Sequence, residues 1–341
     1  MKIGVMTGGG DVPGLNTAIR AITKRAILEG YEPVGIKNGW LGMMEDALTT
    51  PLSLETISGI LSRGGTILGT SRSDPFDYKD GPQKVLDNIK RLGLDSLVVI
   101  GGDGTLMTAL RISKLGIKTV GIPKTIDNDI AGTDYCIGFD TATNIVMNAL
   151  DSLRTTAESH HRVIIVEVMG RDAGWLATVG GLAGGADVII VPEVEMTLED
   201  IAKALRERHS RGKTFSIVAI AEGAKPKGLK AAPEAVVDKM GYVRLGGIAH
   251  ALAPELEALT GYETRVTILG HLQRGGSPSA FDRVIATRMG NMAVDLIKSG
   301  TFGMLVAYRN GNVVPVSLDE ALNGKPHKLD LDLYRMTKYF N

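Results

Sequence analysis

Residues 96–105 read SLVVIGGDGT. Leu97, Val98, Val99 and Ile100 form an unbroken apolar run with no polar alternation, as a strand covered on both faces requires. Gly101 and Gly102 stop the run, and helical periodicity takes over at about residues 105–115. The same order of strand, glycine and helix recurs along the chain. KIGVMTG (2–8) leads into a helix around 14–29, whose Ile19, Ile22, Ala26 and Ile27 share one face. KTVGIP (118–123) precedes a charged loop and then a long helix near 139–157. RVIIVEVMG (162–170), DVIIVPE (187–193), FSIVAIAEG (215–223) and RVTILGH (265–271) are further strands, all apolar on both faces. Such alternation predicts an α/β doubly wound architecture. The strands outnumber one comfortable open sheet, which predicts two three-layer α/β/α lobes with a cleft between them.

Composition narrows the function classes. Of 341 residues, 44% are apolar and 22% charged, as in an ordinary globular protein. Lys+Arg and Asp+Glu both number 38, so no net field points to nucleic acid and any anion site must be local. The single cysteine, Cys136, excludes an intrachain disulfide and a multi-cysteine metal site, and reads as a packing residue. The start, MKIGVMTGGG, has no signal-peptide pattern, and no apolar run approaches the ~20 residues that span a bilayer. A soluble cytoplasmic protein is expected, without membrane or nucleic-acid partners. Residues 223–242, rich in Pro, Gly and Lys, read as a surface insertion in which only the Ala-Val stretch has helical character.

Ligands of parallel α/β sheets bind beyond the carboxyl ends of strands. GGGD (8–11), GGDGT (101–105), PKTIDND (123–129), MGRDAG (169–174), AEG (221–223) and GHLQRGG (270–276) all fall there. In GGDGT, glycines admit a phosphate to the backbone and a helix N-terminus, while Asp103 suits Mg²⁺ bridging two phosphate oxygens. The plainer reading is a glycine turn with Asp103 as helix N-cap. GGGDVPGLN does not match the G-x-G-x-x-G dinucleotide fingerprint, the next strand ends in Lys37 and not an acid, and the chain has no P-loop motif.

PKTIDND concentrates charge. Phosphoryl transfer needs a base for the attacking hydroxyl, a metal, and cations around the migrating group. Asp127 and Asp129 lie two apart and share a face if the segment is extended. One would then take a hydroxyl proton and the other support Mg²⁺ or its water, with Lys124 nearby. An Asx-turn is the competing reading. Arg162, Arg171, Arg265 and Arg274, the last near His271, suit bidentate phosphate binding or are solvated surface charges. Arg162 and Arg265 begin their strands, at the wrong end of the sheet for their own cleft, which fits arginines reaching a neighbouring subunit. His160 and His161 read as helix C-terminal caps.

Taken together, GGGDVPGLN, SRGGTILGTSR (62–72), GGDGT, PKTIDNDIAGTDYCIGFDTA, VEVMGRDAGW (166–175), AEG and LGHLQRGGSPSAFDR (269–283) resemble the 6-phosphofructokinase family. Those glycolytic enzymes phosphorylate fructose 6-phosphate at its 1-hydroxyl. The resemblance implies Asp127 as catalytic base, Thr125 on the transferring phosphoryl group and Arg171 stabilising its charge. Asp103 would bind Mg²⁺ with Asp129 assisting, and Gly10, Arg72, Ser73, Gly102, Asp103, Gly104 and Thr105 would contact the nucleotide. Thr125, Asp127, Met169, Gly170, Arg171, Glu222, His271 and Arg274 would hold fructose 6-phosphate, with Arg162 and Arg265 supplied across a homotetramer. It also implies a larger nucleotide lobe, 1–138 with about 273–323, and a smaller sugar-phosphate lobe, 139–272 with about 324–341. Arg20, Lys24 and Lys213 match basic effector-site positions, but PLSLET (51–56) lacks an arginine there.

Two positions bear on the phosphoryl donor. Pyrophosphate users of the family carry Asp at the position of Gly104 and Lys at that of Lys124, and regulated bacterial ATP users carry glycine at both. This chain has one of each. A carboxylate at 104 would face the α-phosphate of a nucleotide, and like charges ~4 Å apart cost about 4 kcal/mol at an effective dielectric near 20. Glycine removes that repulsion, whereas Lys124 attracts either donor. The expectation is ATP, with pyrophosphate the alternative. A non-catalytic sugar-phosphate-binding subunit is the rival from another class, opposed by intact Asp103, Thr125, Asp127 and Arg171. NAD and lipid kinases share only GGDGT.

Overall fold

The computed structural model describes residues 1–45, 48–229, 236–237, 243–244 and 246–337. Its strands begin with β1 (Lys2–Thr7), β2 (Glu32–Ile36), β3 (Thr49–Pro51), β4 (Ser96–Gly101) and β5 (Thr119–Pro123). β6 (Val163–Val168), β7 (Val188–Ile190), β8 (Ser216–Ala221), β9 (Val236–Val237) and β10 (Val243–Arg244) follow. β11 (Thr264–Ile268), β12 (Met304–Arg309) and β13 (Asn312–Ser317) complete the series. Helices α1 (Leu15–Leu28), α2 (Gly39–Met44), α3 (Gly81–Leu92), α4 (Asp103–Lys114), α5 (Phe139–His160) and α6 (Trp175–Ala183) alternate with them. α7 (Leu198–Ser210), α8 (Ile248–Thr260), α9 (Ala280–Lys298), α10 (Leu318–Asn323) and α11 (Leu331–Met336) come later. The chain divides into two compact units, Met1–Thr141 with Arg274–His327 and Ala142–Gln273 with Lys328–Asn341.

In the first unit the sheet order is β13-β12-β5-β4-β1-β2-β3. β1 lies between β2 and β4 and is parallel to both, with Lys2 opposite Glu32 and Ile3 opposite Ser96. The chain moves outward from β1 to β2 and β3, then returns to β4 on the other side of β1. That reversal is a topological switch point, where the loops after β1 and β4 diverge and leave a crevice. Helices cover both faces because β1, β4 and β5 carry buried side chains on both. Met6, Ile36, Leu97 and Val99 pack with Trp40, Val85 and Ile112, while Leu106 and Leu110 pack with Leu305 and Leu318. Each such aliphatic side chain contributes about 1.5–3 kcal/mol on burial.

The hairpin of β12 and β13 is antiparallel, and the sequence reading did not single it out. Its signal is Asn310-Gly311, both at positive φ (49° and 79°), the turn that matches the twist of paired strands.

The second unit has an all-parallel sheet in the order β11-β6-β8-β7. Val163, Ile165, Val218 and Ile220 meet Ile201, Leu205, Leu252 and Leu256 of the covering helices. Here the switch point lies between β6 and β11. Buried Glu167 of β6 spans to α8, accepting from Gly247 N (2.8 Å) and Ala249 N (2.9 Å) at the positive end of that helix. α7 starts with a capping box, Thr197 and Asp200 each bonding the other's backbone N–H.

Two expectations change. β11 is an edge strand, with Arg265 and Ile268 exposed, so it is not apolar on both faces as the run RVTI suggested. Most of the 230–242 segment lies outside the described residues, but Val236–Val237 is a short strand paired antiparallel with Val243–Arg244. β-branched residues pack well on a pleat, and the helical expectation for the Ala-Val stretch does not hold there. Among the described residues, no helix is long and apolar enough to cross a membrane.

Candidate functional site

In the first unit, three loops leave the carboxyl ends of the adjacent parallel strands β1, β4 and β5. The loop after β1 is tied back by Gly8 N to Ile100 O (3.0 Å) and Gly9 N to Ser71 O (2.7 Å). Gly10 lies against Arg274, since a Cβ there would be 1.9 Å from Nη1 and the guanidinium would have to move. Arg274 also approaches the carbonyl of Asp11 (3.4 Å) and so stands with this glycine loop.

After β4, Gly102 and not Asp103 is the N-cap of α4, and it supplies no side-chain bond. The capping alternative for Asp103 therefore fails. Asp103 is an exposed residue of the first helical turn, and partial desolvation raises its carboxyl above the ordinary range. Gly104 beside it is exposed, and a Cβ there would meet nothing within 4 Å. Thr105, by contrast, is buried with its methyl against Gly8 and Gly101, and its carbonyl accepts from Trp40 Nε1 (3.2 Å). Arg72 is exposed and Ser73 buried.

The loop after β5 is closed at its neck, where Lys124 bridges Ile137 and Ile137 N donates to Pro123 O (3.2 Å). Lys124 is 2% exposed, and its Nζ donates to Gly10 O (2.6 Å), joining the first and third loops. Burial, then the nearby Arg274 guanidinium, lowers its pKa to about 8, although Asp127 and Asp11 favour the charge. Asp127 N donates to Thr125 Oγ1 (3.1 Å), and Asp127 is itself buried at 7% exposure.

Asn128 sits between the two aspartates at φ 53°, in the left-handed region. The segment is thus a turn, and the extended-strand argument that put Asp127 and Asp129 on one face does not apply. The Asn128 side chain bonds across to Asp134 and Cys136 and forms no local Asx-turn. Its amide donates to Asp134 O (3.0 Å) and accepts from Cys136 N (2.9 Å). Cys136 is fully buried, and burial pushes its thiol well above the usual range, as packing and not nucleophilic use demands.

Asp282 was missed by the sequence reading. Its buried carboxylate accepts from Gly138 N and Thr141 N (both 2.8 Å), fixing the start of α5 where this loop exits. Desolvation raises it to about 6. Its signal lay in SPSAFDR, where an acid three residues after Ser279 marks a helix start.

In the second unit, the loop after β6 is built from unusual backbone. Gly170 has φ 141° and Arg171 φ 51°. Arg171 N donates to Glu222 Oε1 (3.1 Å), and Glu222 N donates to Val168 O (2.8 Å). Gly223 lets the two loops touch, since its Cβ would be 1.9 Å from Arg171 O. Met169 N donates to Oε1 of Gln273 (3.2 Å), a fully buried amide that the motif LGHLQRGG held without revealing its role. Met169, Gly170, Arg171 and Glu222 are therefore brought together, and His271 is exposed on the loop after β11. Arg162 and Arg265 are not among them. They lie at the amino ends of β6 and β11, and both pair with Glu263, Arg162 at 2.8 Å. The two arginines hold the Glu263 carboxyl below its usual value. His161, at φ 55°, ends α5 as a left-handed cap.

Among the described residues, no three His, Cys, Asp or Glu side chains gather as a metal cage. A lone exposed carboxylate, Asp103, fits Mg²⁺ carried on phosphate oxygens and waters better than a resident ion.

Glycine loops, a helix N-terminus and a buried lysine and aspartate together suit a phosphate ligand. Residues 2–297 match the model of the family described as Phosphofructokinase. The chain belongs to the phosphofructokinase family. It is accordingly a phosphotransferase of the kinase type, in a family that serves glycolysis. A Dictyoglomus thermophilum protein named pyrophosphate–fructose 6-phosphate 1-phosphotransferase is 50% identical, over 100% of this chain and 98% of its own. A Streptomyces coelicolor protein named ATP-dependent 6-phosphofructokinase 3 is 49% identical, over 94% of this chain and 95% of its own. The phosphofructokinase of Pichia pastoris, solved in the T-state, superposes with a TM-score of 0.85 at 32% identity. That match covers 94% of this chain and 35% of the Pichia chain, so this chain spans about a third of that protein. The pyrophosphate-dependent phosphofructokinase of Marinobacter aquaeolei, at 22% identity and TM-score 0.84, shares the fold; 97% of this chain and 86% of that one align.

Proposed function

We propose that this phosphofructokinase transfers the γ-phosphoryl group of ATP to the 1-hydroxyl of fructose 6-phosphate, giving fructose 1,6-bisphosphate and ADP in the cytoplasm. The observation that carries the choice of donor is Gly104. It is exposed in the first turn of α4, where a nucleotide needs room and no negative charge, and nothing lies within 4 Å of its missing Cβ. Gly10, Arg72, Ser73, Gly102, Asp103 and Thr105 surround or support the nucleotide in this reading. Asp103, with Asp129 assisting, would hold Mg²⁺, which neutralises phosphate charge when bound.

Asp127 accepts the proton of the 1-hydroxyl as that oxygen bonds to the γ-phosphorus, and the bond to the β-phosphate oxygen breaks with its electron pair leaving on ADP. Thr125 holds the migrating group and Arg171 stabilises its charge. Met169, Gly170, Glu222, His271 and Arg274 hold the sugar phosphate. Arg162 and Arg265 serve the neighbouring protomer of a homotetramer, which fits their place at the opposite end of the sheet from Met169–Glu222.

Pyrophosphate is the second reading, favoured by buried Lys124 and by the name of the 50% identical relative. A comparison of ATP and pyrophosphate on purified protein, repeated with Gly104→Asp, separates them. ATP should be the faster donor in the wild type. Gly104→Asp should lower kcat/KM for ATP by about a hundredfold or more through charge repulsion. Its thermal stability should hold, because the added side chain enters open space. A wild-type protein faster with pyrophosphate than with ATP overturns the choice.

A further inference from the structure

The loop that carries Thr125, Asp127 and Asp129 is held from outside by one side chain that no motif contains. His327 follows α10 and reaches the turn at its left-handed residue. Its Nδ1 lies 2.9 Å from Asn128 O, and its backbone N donates to Asp129 O (2.9 Å). The same Nδ1 is 3.5 Å from Asn128 Nδ2. Because a carbonyl can only accept, Nδ1 carries the hydrogen and donates to Asn128 O, and the longer amide contact is no hydrogen bond.

Asn128 thus has its side chain occupied by Asp134 and Cys136 and its carbonyl by His327. The peptide groups on either side of Asp129 are clamped between these contacts. Asn tolerates the left-handed region better than most residues, and these contacts hold Asn128 there at φ 53°. The enforcing contacts sit one residue from Asp127 on one side and on Asp129 itself on the other.

We infer that His327 is a positioning residue for phosphoryl transfer: through Nδ1–H to Asn128 O it holds the turn that sets Asp127 and Asp129. The inference rests on the reading of this loop as the site of transfer. It assigns to His327 a demand on geometry and not on charge, so a neutral donor of the same reach should serve. Asn places an amide nitrogen where the imidazole has Nδ1, and Phe keeps the ring and removes the donor.

The test compares wild type, His327→Phe and His327→Asn in steady-state assays with ATP and with pyrophosphate, alongside thermal melts. We expect His327→Phe to lower kcat about tenfold, the order of one lost hydrogen bond, with both KM values within about twofold. His327→Asn should recover kcat to within about twofold of wild type. Melting temperatures should not follow that order, since a packing role favours the ring of Phe over Asn. If His327→Phe does not fold, His327→Ala takes its place against His327→Asn. Unchanged kcat in His327→Phe, an Asn variant as impaired as the Phe variant, or a loss confined to KM overturns the inference. A wild type inactive with both donors would instead refute the phosphoryl-transfer reading itself.

Discussion

The two units solve the same placement problem with opposite means. Each sends its candidate loops from the carboxyl ends of parallel strands, yet the loop after β5 in the first unit is largely buried while Arg171 and His271 of the second are exposed. Lys124, Asp127, Asn128 and Thr105 are buried, and Lys124 and Asn128 are bonded across loops. Arg171 and His271 are exposed, and the order there is in the main chain, through Gly170, left-handed Arg171 and the Glu222 contact. Burying a charge is costly unless partners surround it, so the first unit braces Lys124 and its neighbours across loops. Solvated arginines carry no such requirement, and in the second unit the order lies in the backbone around Arg171, whose side chain is exposed.

The sharpest attempt to break this contrast is Asp127→Ser in the braced unit. Its kcat should fall about a thousandfold, the order for a lost general base, with modest change in KM. A mild loss would remove Asp127 as base and leave its burial without a chemical reason.

Arg171→Lys probes the exposed unit. It keeps the charge and a similar backbone but loses the planar fork, so kcat/KM should drop about a hundredfold if Arg171 stabilises transferring phosphoryl charge. Activity retained by Lys would mean that charge alone suffices there.

The smallest effect concerns pH. Burial lowers the pKa of Lys124 to about 8, so in the free protein its positive charge is present below that pH and is lost above it. Donor KM should be flat below pH 8 and rise by up to about tenfold per unit above it, while Lys124→Met should weaken binding and remove the dependence. A donor KM unchanged through pH 9 would show that Lys124 does not meet phosphate. The sugar-phosphate KM should lack this step, because Lys124 is not among the groups proposed to hold that substrate.

Much of this was legible in the sequence because it is local. Apolar runs gave β1, β4, β5, β6 and β8, all but β5 ending at or near glycine, and the loops after them contain most of the candidate residues. The β12–β13 hairpin carried a readable Asn-Gly turn but no chemical residues to draw notice. What stayed hidden depends on partners far along the chain. Asp282 caps the start of α5 from more than a hundred residues away, and His327 clamps Asn128 across a separation of 199.

The sequence alone therefore determined the α/β class and the family, and it named the candidate groups for handling phosphate. Periodicity and motif spacing are properties of neighbouring residues and survive without coordinates. Tertiary structure decided which of those groups are buried, that the PKTIDND loop is a turn pinned at Asn128, and that Lys124 is bound to Gly10. It also decided that Gly104 opens onto empty space. Burial, backbone handedness and free volume are set by distant parts of the chain packing together, and only the folded molecule contains them.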